Sequence, residues 1–332
     1  MIPAFNHPSI SIVVRSPNLV ADQIDVVVTV PTFRRPAQVL ETLESLRTQK
    51  TSRRIAIIVM ENEAELREGA LAASPLFEAG ELRGLLIVAH ERGNCSAYNA
   101  GWETALLHFP NFQHLMVIDD DEIADPEWIE RMCSASERFR ADIVGGPQVP
   151  VFDETRSKRW ADHPVFAPPY RESGPVPALY SSGNLLIGRQ VLMRMGPPFL
   201  DLRFNFMGGG DSDFLSRSAE AGFQLAWCAE APVLETIPAR RLENDWIRAR
   251  SLRNGVISTL VEKKRRQASP FGNLRVLAKS IALLAASPFR AMARTLGTGS
   301  VATGIYPVHV ALGRLLAEFG YANEQYRQPE KN

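Results

Sequence analysis

The chain has 332 residues, of which 37 are basic, 37 acidic and 45% hydrophobic. The length suits one large or two closely joined α/β units, and the apolar content excludes global disorder. The net charge of zero hides an asymmetry. Residues 257 to 313 hold eight bases and one acid, Glu262, a net +7 that leaves the remainder at −7. A nucleic-acid-binding protein spreads positive charge over its folded body. Here the body is acidic, so no nucleic-acid partner is expected.

Residues 1–23 read as an N-terminal extension without the basic start and long apolar core of a secretory signal. Ile24 to Val30 is β-branched and reads as a buried strand. Pro36 opens a helix with Val39, Leu40, Leu43 and Leu46 on one face. Ile55 to Met60 and Leu85 to Ala89 are further strands, Asn94 to Leu107 is helical, and His114 to Ile118 is a fourth strand. The alternation means βαβ units and a mostly parallel sheet.

Asp119-Asp120-Asp121 follows the fourth strand directly. Asp125 is expected to cap a helix that begins at Pro126. The three carboxylates therefore sit at the carboxyl end of a strand, where open α/β sheets hold ligands. Carboxylates this close repel one another unless a cation lies among them, and a divalent metal bridging to a phosphate suits the need.

After Gly145-Gly146-Pro147 the texture changes. Residues 150 to 180 are rich in Pro, charge and aromatics and are expected to form a long surface excursion. Ser182 to Ile187, Leu225 to Cys228 and Val233 to Glu235 read as short strands. A helix is expected from about Asp211 to Ala221, with Gly222 ending it. Cys95, Cys133 and Cys228 are odd in number and widely spaced, which suggests a reducing compartment and gives no metal-site spacing.

The tail from 257 is expected to be helical. Phe271 to Leu296 is apolar, with cations at intervals and Pro288 interrupting it. Leu296 to Gly313 contains Gly297, Gly299, Gly304 and Pro307, a poor composition for a straight spanning helix. The tail therefore favours helices lying in a membrane interface, held by apolar faces and the cluster Lys263 to Arg266.

Four further clusters carry chemistry. Pro31-Thr32-Phe33-Arg34-Arg35-Pro36 presents amides and basic side chains to a phosphate or base. Glu61-Asn62 ends the second strand, where an acid can accept from a ribose or a base edge. Arg92-Gly93-Asn94 opens a helix where a backbone can approach a ligand closely, and Arg92 can pair with phosphate. Gly208-Gly209-Gly210 is a loop that can close over a ligand, followed by Asp211, a candidate general base for a sugar hydroxyl.

Together these motifs resemble an inverting family 2 glycosyltransferase with the GT-A fold, most of all its bacterial succinoglycan and exopolysaccharide branch, over roughly residues 24 to 255. They are Thr32 to Pro36, Glu61-Asn62, Asn94 to Asn99, Ile118 to Trp128, Gly183-Asn184, Gly208 to Phe214, and Trp246, Arg250, Arg253 and Gly255. The resemblance implies a Rossmann-like mixed, mostly parallel sheet flanked by helices. Residues 24–150 would form the nucleotide-sugar half, 151–256 the acceptor and catalytic half, and 257–332 a membrane-associated helical tail.

The resemblance also assigns roles. Asp121, with Asp119, would hold Mg2+ or Mn2+, and Asp211 would be the catalytic base. Pro31, Thr32, Arg34, Glu61, Arg92, Asn94, Asn99, Asp119, Asp120, Arg250 and Arg253 would bind the nucleotide diphosphate sugar. Asn184, Gly209 and Gly210 would meet the glycan or lipid-linked acceptor. An enzyme of this kind is expected in the cytoplasm, peripheral on the anionic inner face of the cytoplasmic membrane. Gly210 stands where the family usually has Glu, which puts the acceptor site in question and leaves Asp213 as a fallback base. Two other readings stay open: a sugar-1-phosphate nucleotidyltransferase, disfavoured because the loop after the first strand lacks Gly, and a non-catalytic glycan- or membrane-binding protein on a transferase scaffold.

Overall fold

The computed structural model describes residues 9–152, 160, 162–321 and 327. The start of the N-terminal extension, residues 153–159 and 161 of the excursion, and most of the chain after 321 lie outside the described residues.

Four parallel strands form the centre: β2 (Val26–Thr32), β3 (Ile55–Glu61), β4 (Gly84–Ala89) and β5 (His114–Ile118). The N-terminal extension supplies an unexpected edge strand, β1 (Ile10–Arg15), antiparallel to β4. The remaining strands are β6 (Glu122–Ala124), β7 (Ile143–Gly145), β8 (Gln148–Val151), β9 (Gly174–Pro175), β10 (Asn184–Gly188), β11 (Leu225–Trp227) and β12 (Val233–Thr236). The main sheet runs β1-β4-β3-β2-β5-β10-β7-β11-β9, so β10 enters antiparallel between β5 and β7. A second sheet, β6-β12-β8, flanks it.

Period-two alternation divides the core. Val26, Val28 and Val30 of β2 pack with helices α1 (Pro36–Arg47) and α4 (Trp128–Phe139) through Val39, Leu43, Leu46, Trp128 and Met132. Val27 and neighbouring Ile58 face the other layer, with Tyr98 and Trp102 of α3 (Asn94–His108) and with Phe199 and Phe214. Two helices lack a clear signal in the sequence: α2 (Glu68–Glu78), which contains Pro75, and the short α5 (Arg189–Met195).

One expected start shifts. Asp125 Oδ1 accepts from Glu127 N at 3.0 Å and its carbonyl accepts from Trp128 N at 2.9 Å. This turn precedes the helix, so α4 begins at Trp128 rather than Pro126.

After α6 (Gly210–Glu220), the long helix α7 (Asn244–Arg265) carries α8 (Gly272–Thr298), α9 (Val301–Gly304) and α10 (Tyr306–Glu318). Pro288 does not interrupt α8, which is unbroken. The Leu284 carbonyl that loses its amide partner to Pro288 accepts from the Ser287 hydroxyl at 2.8 Å. By length and composition alone α8 could cross a membrane. α7 and α10 approach through glycine: a Cβ on Gly255 would strike the Val310 carbonyl, and one on Gly313 the Leu252 carbonyl.

The cluster Lys263 to Arg266 is committed within the fold. Lys263 pairs with Glu318, Lys264 with Asp201 and Asp213, Arg265 with Glu220, and Arg266 with Glu262. Each of its four side chains thus has an acidic partner within the fold.

Gly313→Leu should force α10 off α7 and lower stability by about 1–3 kcal/mol, read as a lower urea midpoint. Gly297→Ala, on α8 where a Cβ meets nothing, should raise the midpoint instead.

Candidate active site

The carboxyl ends of β2 and β5, the start of α3, the glycine loop before α6, and α7 and α8 surround one cleft of about 1280 Å3. Its floor is the aspartate triplet. Asp119 is half-buried and accepts from the Tyr98 hydroxyl, while its backbone N–H donates to Glu122 Oε2 at 2.9 Å. Asp120 accepts from Thr32 Oγ1 at 2.8 Å and from Arg35 Nη1 at 3.0 Å. Asp121 takes the same guanidinium nitrogen at 2.8 Å. Arg35 thus lies between the two acids.

Burial is the main cause of the altered acidities here. It pushes Asp119 up to about 7, helped by repulsion from Asp121. It pushes Asp120 up to about 6 against the pull of Arg35. Glu122 is driven well above the usual carboxylate range by burial and by Asp119. Glu235 is raised by burial too, with Arg241 Nη1 at 2.8 Å opposing. The register of β12 on β6 places Glu235 opposite Glu122.

The charge balance fits a cation. Among the described residues no three ligand side chains converge on one point. Asp121 and Asp119 could offer one or two oxygens to such a cation, which would need its remaining ligands from a bound molecule or water.

Asp211 occupies the first turn of α6, half-buried, with Oδ1 accepting from Ser212 N at 2.7 Å. Its pKa is raised by burial, against the amides of Ser212 and Ser182 and the guanidiniums of Arg250 and Arg253. All three of these charged side chains line the cleft, as do Pro31, Thr32, Arg92, Asn94 and Gly209. Gly209 has φ +96°, which only glycine adopts readily.

The fallback base, Asp213, has other partners. Asp213 is buried and bonded to Arg217 Nε and Lys264 Nζ, both at 2.8 Å. It locks α6 to α7 and does not line the cleft.

Four expected donor or acceptor contacts are engaged elsewhere. Arg34 sits in the left-handed region at φ +54° and turns to Glu63 Oε2 at 2.6 Å, so Arg35 and not Arg34 faces the triplet. Glu61 is fully buried and accepts from Glu63 N at 2.8 Å and Ala70 N at 3.0 Å, holding the start of α2. Asn99 exchanges two hydrogen bonds of 2.8 Å with the Leu200 backbone and is a loop clamp. Asn184 touches the cleft wall, but its amide accepts from Trp128 Nε1 and donates to the Pro147 and Ala231 carbonyls. No donor of its side chain is left for an acceptor sugar.

Gly210 has a structural explanation. A Cβ there would lie 2.5 Å from Cys95 Sγ. Cys95 at the start of α3 fills the space into which a longer residue 210 would grow.

The model of glycosyl transferase family 2 matches residues 27–197, just over half of the chain. The chain belongs to glycosyl transferase family 2. Membership removes the nucleotidyltransferase alternative. The succinoglycan biosynthesis protein ExoM of Rhizobium meliloti (strain 1021) is 29% identical over 234 residues, 68% of this chain and 71% of that protein. The mannosyltransferase PcManGT from Pyrobaculum calidifontis, solved with GDP-Man and Mn2+, is similar in fold with a TM-score of 0.55 at 18% identity, over 91% of this chain and 89% of that one. Residues 1–349 of S. aureus TarS give a TM-score of 0.51 at 11% identity, over 87% of this chain and 90% of that one. The family 2 chain therefore has the GT-A architecture expected from its motifs. The glycine loop and Asp211 lie beyond the matched segment.

The Cys95–Gly210 contact should behave as a coupled pair. Gly210→Ala should cost about 1–3 kcal/mol of stability. Cys95→Ala in the same chain should recover part of that loss in a double-mutant cycle. Additive losses in urea unfolding would refute the contact.

Proposed function

We propose that this chain is an inverting, divalent-metal-dependent hexosyltransferase. It moves a sugar from a nucleoside diphosphate sugar to a glycan or lipid-linked acceptor, in bacterial surface polysaccharide synthesis at the inner face of the cytoplasmic membrane. The observation that carries the proposal is that Asp211, with a raised pKa, shares one cleft with the aspartate triplet. ExoM supports the polysaccharide assignment by its likeness to this chain. The ligands of PcManGT support a nucleotide-sugar donor and Mn2+.

A bound Mg2+ or Mn2+ would supply positive charge to the donor diphosphate. Asp121 and Asp119 are the residues to hold it. Arg35, just before α1, holds Asp120 and Asp121 in place. Arg250 and Arg253 stand on α7 to hold the departing diphosphate. Asp211 takes the proton of the acceptor hydroxyl as that oxygen bonds to the anomeric carbon. The bond from that carbon to the diphosphate breaks in the same displacement, so the configuration inverts.

Asp211→Asn should keep donor affinity and lower kcat by a factor on the order of 10² or more. Because burial raises the Asp211 pKa and the base must be ionised, kcat should fall on the acid side at a pH above the ordinary Asp range. Asp213→Asn should instead lower stability, since it leaves Lys264 and Arg217 without their buried partner. If Asp213→Asn abolishes turnover in a stable protein and Asp211→Asn does not, the base is misassigned.

Asp121→Ala should abolish Mn2+-dependent binding of nucleoside diphosphate without unfolding the chain, because removing one of several crowded acids relieves repulsion. Calorimetry that finds unchanged Mn2+-dependent affinity would remove the metal assignment.

A further inference from the structure

The apolar surface of the tail is on one side of one helix. Leu274, Ile281, Phe289, Met292 and Leu296 of α8 recur at helical spacing, and each is at least half exposed, Phe289 and Leu296 at 72% and 79%. The opposite side of α8 buries Val276, Ser280 and Ser287 against the fold. Exposed Phe271 and Val301 extend the apolar surface past both ends of the helix. A patch of this extent on a folded chain marks a contact surface.

Charge decides what covers it. No Asp or Glu occurs between Glu262 and Glu318. Lys263 to Arg266, Lys279 and Arg314 are paired internally. Arg275 and Arg290 of α8 are exposed and make no side-chain ion pair among the described residues. A second copy docked along this surface would bring cations with no acids to answer them. An anionic lipid surface supplies both the apolar phase and the opposite charge.

The inner side of α8 settles the orientation. Lys279 and Arg294 line the catalytic cleft, and α8 packs on α10. A spanning α8 would carry those cations into hydrocarbon.

We infer that α8 lies in the plane of an anionic bilayer, with its Leu274–Leu296 stripe among the acyl chains and Arg275 and Arg290 at the headgroups. The stripe, not the Lys263 to Arg266 cluster, is the membrane contact. One helix is then both membrane face and cleft wall, which holds the cleft at the lipid surface. This rests on the membrane location proposed above and specifies its surface.

The test uses the full chain and phosphatidylcholine vesicles with and without phosphatidylglycerol. The chain should sediment with the anionic vesicles. Phe289→Ser/Met292→Ser/Leu296→Ser should reduce binding on the order of tenfold or more while melting as the parent does. Arg275→Gln/Arg290→Gln should remove most of the salt dependence. Phe289→Trp emission should shift to the blue on anionic vesicles. An unshifted emission, or a triple variant that binds as the parent does, would overturn the proposal. So would a lipid-free dimer that the triple variant dissolves, coupled with indifference to vesicles. Mn2+-dependent nucleoside diphosphate binding is read separately. Its loss with vesicle binding intact would count against the transferase site and leave the α8 surface standing.

Discussion

The site is organised around the cost of holding carboxylates together out of water. Four acids follow one another from Asp119 to Glu122, and strand pairing sets Glu235 opposite the last. Arg35 answers Asp120 and Asp121, and Arg241 answers Glu235. Asp119 and Glu122 are held by the Tyr98 hydroxyl, the Asp119 amide and Gln148 Nε2, dipoles rather than cations. Their protons are therefore bound more tightly than in water. A cluster under this repulsion has a standing preference for added positive charge, which is what a metal-bound diphosphate donor would bring.

The second constraint is mechanical. α7 carries Arg250 and Arg253 into the cleft near its start and Lys264 near its end. Lys264 bonds Asp213 at 2.8 Å, two residues from Asp211 in the first turn of α6. The same helix meets α10 through Gly255 and Gly313. The proposed base, the proposed diphosphate cations and the tail are thus parts of one packed unit. Truncating the tail would expose the α10 face of α7 and remove the cleft residues on α8.

Much of this architecture was legible in the chain because it is local. The apolar runs of β2 to β5, Pro36 at the start of α1 and the carboxylates after β5 are signals within short windows. The misses are non-local. Nothing near Glu235 announces that β12 will pair with β6. Arg34 and Arg35 are equivalent in composition, and the left-handed turn at Arg34 decides which faces the triplet. Glu61 and Asn99 have the right type and position for ligand contacts, yet the start of α2, nine residues on, claims Glu61, and the Leu200 loop, remote in sequence, claims Asn99. The ion pairs of the basic cluster were not legible because its partners lie far away, at Asp201, Asp213, Glu220 and Glu318. Glu262, close by, was visible and answers only part of it.

The central claim is that the donor diphosphate and its metal sit between the aspartate triplet and α7. Anomalous diffraction at the manganese edge, from crystals soaked with Mn2+ and either uridine or guanosine diphosphate, tests it most directly. The account predicts one manganese peak within coordination distance of Asp121 or Asp119, with diphosphate oxygens on the metal and toward Arg250 and Arg253. A diphosphate bound elsewhere, or a manganese peak away from both aspartates, would contradict it.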